Sequence, residues 1–586
     1  MLSLFLISRV IGYAALVYSL GTTCTTPLGS GTADPAAPFW MQDIKHQGIA
    51  AFNPNSTTYQ VFRNVQDFGA KGDGITDDTD AINAAISAGD RCGGGTCPSS
   101  TTTPAVVFFP RGTYVISAPI IAYYYTQLIG DATDPPTLLA TPGFQGIGVI
   151  DADPYIATGQ FYDNTNNFFR SVRNFIIDLT QTPASSATTG IHWQIAQATS
   201  LMNLVINMST ESDTAHQGLV MENGSGGFLG DLVFNGGKYG MSVGNQQFTV
   251  RNVTVNNAQT CILAVWNWGW TFQGVKFNNC QIGFDISTGG GPPQPVAAEA
   301  IIDATAVNVP IFLRPSANSG QLDGSLVLSN IKLTNVPTAI GLFSGDVLLA
   351  GGTTTITSWA QGNIFTGSNG TGLYTQGYIA APVKAAALLD SAGNIFGRTH
   401  PQYADYAVSQ FVSVRDHGAM GDGVTDDTAA LKEIFAAFAG CKIIFFDAGT
   451  YIVTSTVTIP AGTQMVGEAW SVIAGKGSAF QDMDHPRPVV RVGAPGSSGL
   501  VEITDIIFST IGPAGGAIVV EWNAKQTTQG GAGMWDSHIR LGGAAGTNLQ
   551  AANCPSDGSG GTAACKQNGL KINLILLSSP VFSNLP

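Results

Sequence analysis

The chain has 586 residues, of which 72 are Gly, 44% are hydrophobic and only 11% are charged. That composition excludes a disordered chain, which would be poor in apolar residues and rich in charge, and the length calls for more than one domain. A formal charge of −14, from 25 basic and 39 acidic residues, argues against nucleic acid or an anionic membrane surface as partner. It also makes a neutral glycan a better ligand than a polyanion such as pectate.

The chain opens on a mostly apolar run, Met1 to Leu20, followed by small residues and threonines. The pattern predicts a signal peptide over residues 1–21 and a secreted, extracellular protein. Arg9 interrupts the run and leaves it short for a membrane span, and no later stretch is long and apolar enough to cross a bilayer.

A first module is expected over residues 38–356. Its opening, Asp67 to Ile82, reads DFGAKGDGITDDTDAI, and Asp416 to Leu431 repeats it as DHGAMGDGVTDDTAAL. Val106–Ile116 (VVFFPRGTYVI) returns as Ile443–Val453 (IIFFDAGTYIV), and Thr126–Ala132 (TQLIGDA) returns as Thr463–Ala469 (TQMVGEA). Collinear matches of this length mean a duplicated module. After each opening comes an apolar-faced run: Ala81, Ile82, Ala85 and Ile86 in one copy, Leu431, Ile434 and Phe435 in the other. Both predict a short capped helix closing the end of a strand solenoid. The paired aspartates there are read as caps.

Beyond the cap a rung recurs, a small polar residue followed by apolar, any, apolar. Asn174-Phe-Ile-Ile, Asn203-Leu-Val-Ile, Asp231-Leu-Val-Phe and Asn252-Val-Thr-Val carry it, Gly274-Val-Lys-Phe more loosely, and Asn330-Ile-Lys-Leu again. The first five are spaced by 29, 28, 21 and 22 residues. Short strands at that period fit coils of a parallel β-helix, with stacked Asn side chains satisfying turn backbone. The predicted fold is all-β: two tandem right-handed parallel β-helices, the second incomplete. Residues 357–410, rich in Ala, Gly and Tyr and without rungs, read as a packed linker. The second module, 411–586, has the cap, a rung at Asp505-Ile-Ile-Phe and the segment MWDSHIRLGG. After Cys565 it shows no rung and no closing cap, which reads as a truncated module.

Eight Cys suit an oxidising compartment. The spacings of Cys92/Cys97, Cys554/Cys565 and Cys261/Cys280 predict local disulfides. They do not suit zinc, because no His pairs stand at ligand spacing. Sequons at Asn55, Asn207, Asn223, Asn252 and Asn369 fit a glycoprotein. Trp266, Trp268 and Trp270 alternate, so a regular strand would put all three on one face where sugar rings stack or modules pack.

The tandem DxGAxGDGxTDDT openings with FFxxGTY and TQxxG strands resemble the pectate-lyase-like β-helix superfamily. Together with GIHWQIAQATSL (Gly190–Leu201), MENGSGGFLGDLVFNGG (Met221–Gly237) and MWDSHIRLGGAAGTN (Met534–Asn548), the chain resembles glycoside hydrolase family 55, the exo-β-1,3-glucanases. The resemblance implies a monomeric, metal-free and cofactor-free inverting enzyme. It would release glucose from the ends of β-1,3-glucan in a pocket between two helices. An inverting reaction needs an acid on one side and a held water on the other, with carboxyl groups roughly 6.5–9.5 Å apart in the usual case. The resemblance assigns the water to Gln197 and Ser225. That role requires the Asn223 sequon to stay unmodified. It places the general acid on a Glu late in the second module, and no Glu follows Glu521, so the acid is unassigned and weak activity or none is expected. His192 and Trp193, beside Gln197, and the three tryptophans are candidate sugar contacts. Glu222 is a nearby carboxylate for which a structural and a functional role stand equal. Two alternatives remain: a pectin-degrading lyase or polygalacturonase, and a non-catalytic glycan-binding β-helix.

Overall fold

The computed structural model describes residues 20–576 apart from 96, 98, 158, 289–294, 317–324, 366–371, 555–564, 566–567 and 570–571. The predicted signal peptide therefore lies almost wholly outside the described residues. What is described forms two tandem right-handed parallel β-helices. In the first, each coil lays its strand beside the one before. Val172, Leu201, Leu229, Val250 and Phe272 are register partners in succession, and all five are essentially fully buried. The spacing of the sequence rungs is thus the length of successive coils.

The polar residue that opens each rung is a turn residue in the left-handed region. Its φ runs from +51° at Asn252 to +66° at Asn174, with Asn203, Asp231 and Asn330 between. Short polar side chains tolerate that conformation. Gly274, at φ +69°, meets the same backbone demand without a Cβ, which explains the looser rung. The side chains then stack from coil to coil. Asn203 Nδ2 donates to Asn174 Oδ1 at 2.9 Å, and Asn252 Nδ2 to Asp231 Oδ1 at 2.7 Å. A second column, Asn207–Asn235–Asn256–Asn278, repeats one 2.9 Å amide bond at each step.

Helices Thr79–Ser87 and Thr428–Phe438 close the start of each β-helix, burying Ile82, Ala85 and Ile86 in one and Leu431, Ile434 and Phe435 in the other. Asp77 accepts from the Thr79 N–H at the helix start, while Asp78 gathers the N–H groups of Lys71 and Gly72. Asp426 and Asp427 make the same bonds to Thr428, Met420 and Gly421. These aspartates hold turns.

At its far end the first helix is closed by an antiparallel meander in which Ser325–Gly341 pairs with Val347–Phe365, and that strand with Gly372–Tyr378. Position 357 falls inside the middle strand. The connecting chain then runs to 410 with His400 and Tyr403 buried. The second helix stacks Ile443–Phe446, Gln464–Gly475 and Val501–Thr510 on one face and Val457–Ile459, Arg487–Val492 and Ala517–Trp522 on another. Ile572–Leu576 extends the latter, parallel to Ala517–Trp522. The reading of no rung after Cys565 is corrected there: INLIL is a strand of the stack that lacks the polar opening by which a rung is recognised.

Cys92–Cys97 and Cys554–Cys565 form disulfides, whereas Cys261 and Cys280 are free and buried. Cys280 Sγ lies against the carbonyls of Val255 and Asn278, and both thiols pack as small apolar groups. The third bridge is Cys24–Cys441. It ties the N-terminal arm to the second helix beside a cluster containing Phe39, Trp40, Phe108, Phe411 and Phe445, so arm and both helices pack as one body.

Candidate active site

The two helices and the connecting chain enclose a cleft of about 390 Å³. The first helix supplies Gln197, Ser200, Phe228, Asp231 and Arg251, the connector supplies Arg398 and His400, and the second helix supplies Met534 to His538. Gln197 lines this cleft, and Ser225 reaches it through Gln197. Ser225 Oγ donates to Gln197 Oε1 at 3.0 Å across a separation of 28 residues, one coil. Gln197 is exposed and Ser225 is 5% exposed.

The local sequence dictates how Ser225 gets there. In Asn223-Gly-Ser-Gly-Gly, Gly224 has φ +140° and Gly226 φ +124°. A Cβ on Gly224 would lie 2.0 Å from the Ile195 carbonyl oxygen, so only Gly lets the turn press on the coil below. Ser225 N–H donates to Ile195 O at 3.1 Å, and Gln247 Nε2 donates to Ser225 O at 2.8 Å. The backbone of Ser225 is fixed from both neighbouring coils, and its hydroxyl from one of them by Gln197.

The opposite wall is Trp535-Asp536-Ser537-His538. Arg398 stands 5.2 Å over the Trp535 ring. Asp536 accepts from Ser200 Oγ at 3.2 Å and lies 3.1 Å from His538 Nε2. Asp231 accepts from Arg251 at 3.2 Å and Asn252 at 2.7 Å. Trp535, Asp536, His538 and the connector residues do not stand out in the sequence. Only the motif MWDSHIRLGG points to them, and a connector without rungs gives no periodic signal.

Behind the cleft sits a buried charge cluster. Asp505 receives Arg173 at 2.8 Å and 3.3 Å, His400 Nε2 at 3.1 Å and Gln127 Nε2 at 2.9 Å. Burial alone would raise the Asp505 pKa. The positive field of Arg173 and His400 outweighs it and holds the group down at about 2. First helix, connector and second helix thus converge on one carboxylate.

The sugar contacts expected from the sequence need correction. Trp193 is fully buried and Trp270 is 3% exposed, both in the core of the first helix. His192 is buried between Asp151, at 2.8 Å, and Glu222, at 2.9 Å. Burial works against its charge, but the hydrogen bonds to these two carboxylates prevail and raise its pKa to about 10. The three tryptophans do not share a face. The pairing slips between Val243 and Gly244, and the strand turns a corner at Asn267, whose side chain is buried and accepts from the N–H groups of Ala297 and Ala298. Trp270 therefore points inward, Trp268 is 62% exposed, and Trp266 lies part-buried with its indole N–H on Glu222 O at 2.7 Å. None of the three lines the cleft. The Asn252 sequon is also committed, its amide nitrogen being bound in the turn stack.

Comparison with known proteins agrees with this architecture. The family described as rhamnogalacturonase A/epimerase, pectate lyase-like, matches residues 62–285 and 411–485. A protein of Arthroderma benhamiae named probable glucan endo-1,3-beta-glucosidase is 39% identical, over 93% of this chain and 74% of its own length. The glucan 1,3-beta-glucosidase of Cochliobolus carbonum is 43% identical, over 93% of this chain and 70% of its own. The protein named non-secreted LysM effector LysM19 of Penicillium expansum is 43% identical over 89% of this chain, which covers 42% of it. The fold and these matches define a pectate-lyase-like β-helix protein. Within that class the chain belongs to the glucan 1,3-β-glucosidase family, glycoside hydrolase family 55.

Proposed function

We propose that this chain is a secreted, inverting glycoside hydrolase acting on β-1,3-glucan, with Gln197 and Ser225 holding the attacking water in the inter-helix cleft. One observation carries the reading. Gln197, an exposed amide lining the cleft walled by both helices, is hydrogen-bonded at 3.0 Å to the Ser225 hydroxyl one coil away. A water there accepts from the Gln197 amide and gives a proton toward the Ser225 oxygen, which leaves a lone pair for the anomeric carbon. The names of the relatives in Arthroderma and Cochliobolus support glucan as substrate.

The leaving-group side differs. Asp231 and Asp536 are the cleft carboxylates among the described residues; Asp231 is held by Arg251 and Asn252 in its own wall, and Asp536 by Ser200 across the cleft and His538 beside it. Proton donation to a sugar hydroxyl leaving group is therefore weak, a deficit of about 10²–10⁴-fold. The expected signature is leaving-group dependence: slow turnover of laminaribiose and far faster turnover of dinitrophenyl β-glucoside, with α-glucose as first product by NMR. Gln197→Ala lowers both rates at least about 100-fold. Equal rates on the two substrates would overturn the missing-acid reading, and β-glucose as first product the inverting one.

A further inference from the structure

A second group of side chains stands outside the cleft on the first helix. Asp151, His192, Val220, Ser242 and Leu263 or their strand neighbours pair in parallel register on successive coils. Two to four residues beyond these register positions, Tyr155, Gln194, Glu222 and Trp266 form a row along the helix axis, Trp266 within its strand opposite Gly244. The row is wired together. Gln194 Nε2 donates to the Tyr155 hydroxyl at 2.9 Å, the Tyr155 and His192 rings are 5.8 Å apart, His192 Nε2 lies 2.9 Å from Glu222 Oε2, and Trp266 Nε1 donates to Glu222 O at 2.7 Å. Tyr155 is 52% exposed, Glu222 is exposed and Trp266 part-buried, whereas Gln194 is buried beneath them. Four strand spacings of about 4.8 Å give the row roughly 19 Å.

We propose that this row is a second carbohydrate surface that takes the β-1,3-glucan chain emerging from the cleft. The proposal rests on the glucan reading above. Its chemistry is that of a neutral sugar. The rings of Tyr155 and Trp266 at the ends stack on apolar sugar faces, and between them the exposed Glu222 carboxylate meets a hydroxyl pair, while buried Gln194 holds the Tyr155 hydroxyl. A protein partner would want a continuous apolar patch, which the polar middle of the row interrupts. Buried His192 holds Glu222 in place, so little ordering is needed on binding. Continuity with the cleft is covalent. Gln194 lies three residues before Gln197 and Glu222 three before Ser225, a reach of at most about 10 Å each. The coils that carry them are bridged at Ile195 and Gly224.

Calorimetric titration of the full chain with laminaribiose and laminarihexaose tests this. The double variant Tyr155→Ala/Trp266→Ala is expected to bind the hexaose about tenfold more weakly and the disaccharide as the parent does, with a melting transition that stays cooperative. Trp266→Phe keeps most of the hexaose affinity. If the double variant leaves hexaose affinity unchanged, or weakens both sugars alike, the surface is not a chain subsite and the cleft reading stands. If the parent binds neither sugar, the glucan reading falls and this proposal with it.

Discussion

At the scale of single residues, the pairing of polar turn residues was legible in the sequence and the burial of aromatic ones was not. Gln197 and Ser225 stand in polar turns with nothing apolar to explain them, and they meet at 3.0 Å. Trp193 and Trp270 looked like sugar platforms because an aromatic side chain reads alike inside and outside a coil, and both proved to be core. Burial is decided by a strand slip and a corner that no alternation rule anticipates. Glu222, left open by the sequence, has an inner tie to His192 and an outer face. That tie has a pH consequence. The folded pKa of His192 is raised to about 10 from about 6.5 when unfolded. Its contribution to stability is therefore complete below about pH 6.5 and lost as pH rises through about 10. The melting temperature is expected to fall over that window, and His192→Gln should flatten the fall while lowering stability at pH 6. A parent protein whose melting temperature is constant from pH 6 to 10 would refute the assignment.

At the scale of elements, the coil period was written plainly, because each coil must turn once through the left-handed region and Asn, Asp and Gly do so at least cost. The rungs opened by Asn174, Asn203, Asp231, Asn252, Gly274 and Asn330 are that requirement in sequence. The second column, Asn207–Asn235–Asn256–Asn278, is hidden because it sits at strand ends, where an Asn after an apolar run looks like any loop residue. Its role is nonetheless specific: Asn235 and Asn256 each donate and accept at 2.9 Å between the end members Asn207 and Asn278. Asn235→Ala removes a middle link and leaves Asn256 Nδ2 without its acceptor, a loss of about 1–3 kcal/mol. Asn278→Ala, at the end of the column, breaks one bond instead of two and should be milder. Chemical denaturation of the two variants checks the order, and equal losses would mean that the column is not acting as a chain of bonds. The antiparallel closure at Val347–Phe365 was not anticipated either, since its pairing is set by the need to cover an open solenoid end and not by a repeat.

At the scale of the whole molecule, duplication predicts two stacks but not how they meet. That information is spread over single residues far apart in sequence: Cys24 and Cys441, and Gln127, Arg173, His400 and Asp505. The cleft exists because those groups fix the second helix against the first, so Asp505 governs site geometry without touching it. Its pKa is depressed to about 2 from about 3.9 in the unfolded chain. Its contribution is therefore present above about pH 4 and lost as pH falls through about 2. Asp505 also sits at φ +56°, a conformation Asn tolerates, so Asp505→Asn removes the charge and leaves the turn. Arg173 and His400 would then lose the buried counterion they share, Arg173 keeping only the longer contact to Asp536 at 4.0 Å, at a cost of about 3–5 kcal/mol. The expected variant is folded but less stable at pH 7, loses less of its remaining stability between pH 4 and pH 2 than the parent, and binds laminaribiose more weakly because the cleft walls are no longer held together. A variant that is less stable yet binds the disaccharide with parental affinity would show that the cluster fastens the helices without setting the cleft.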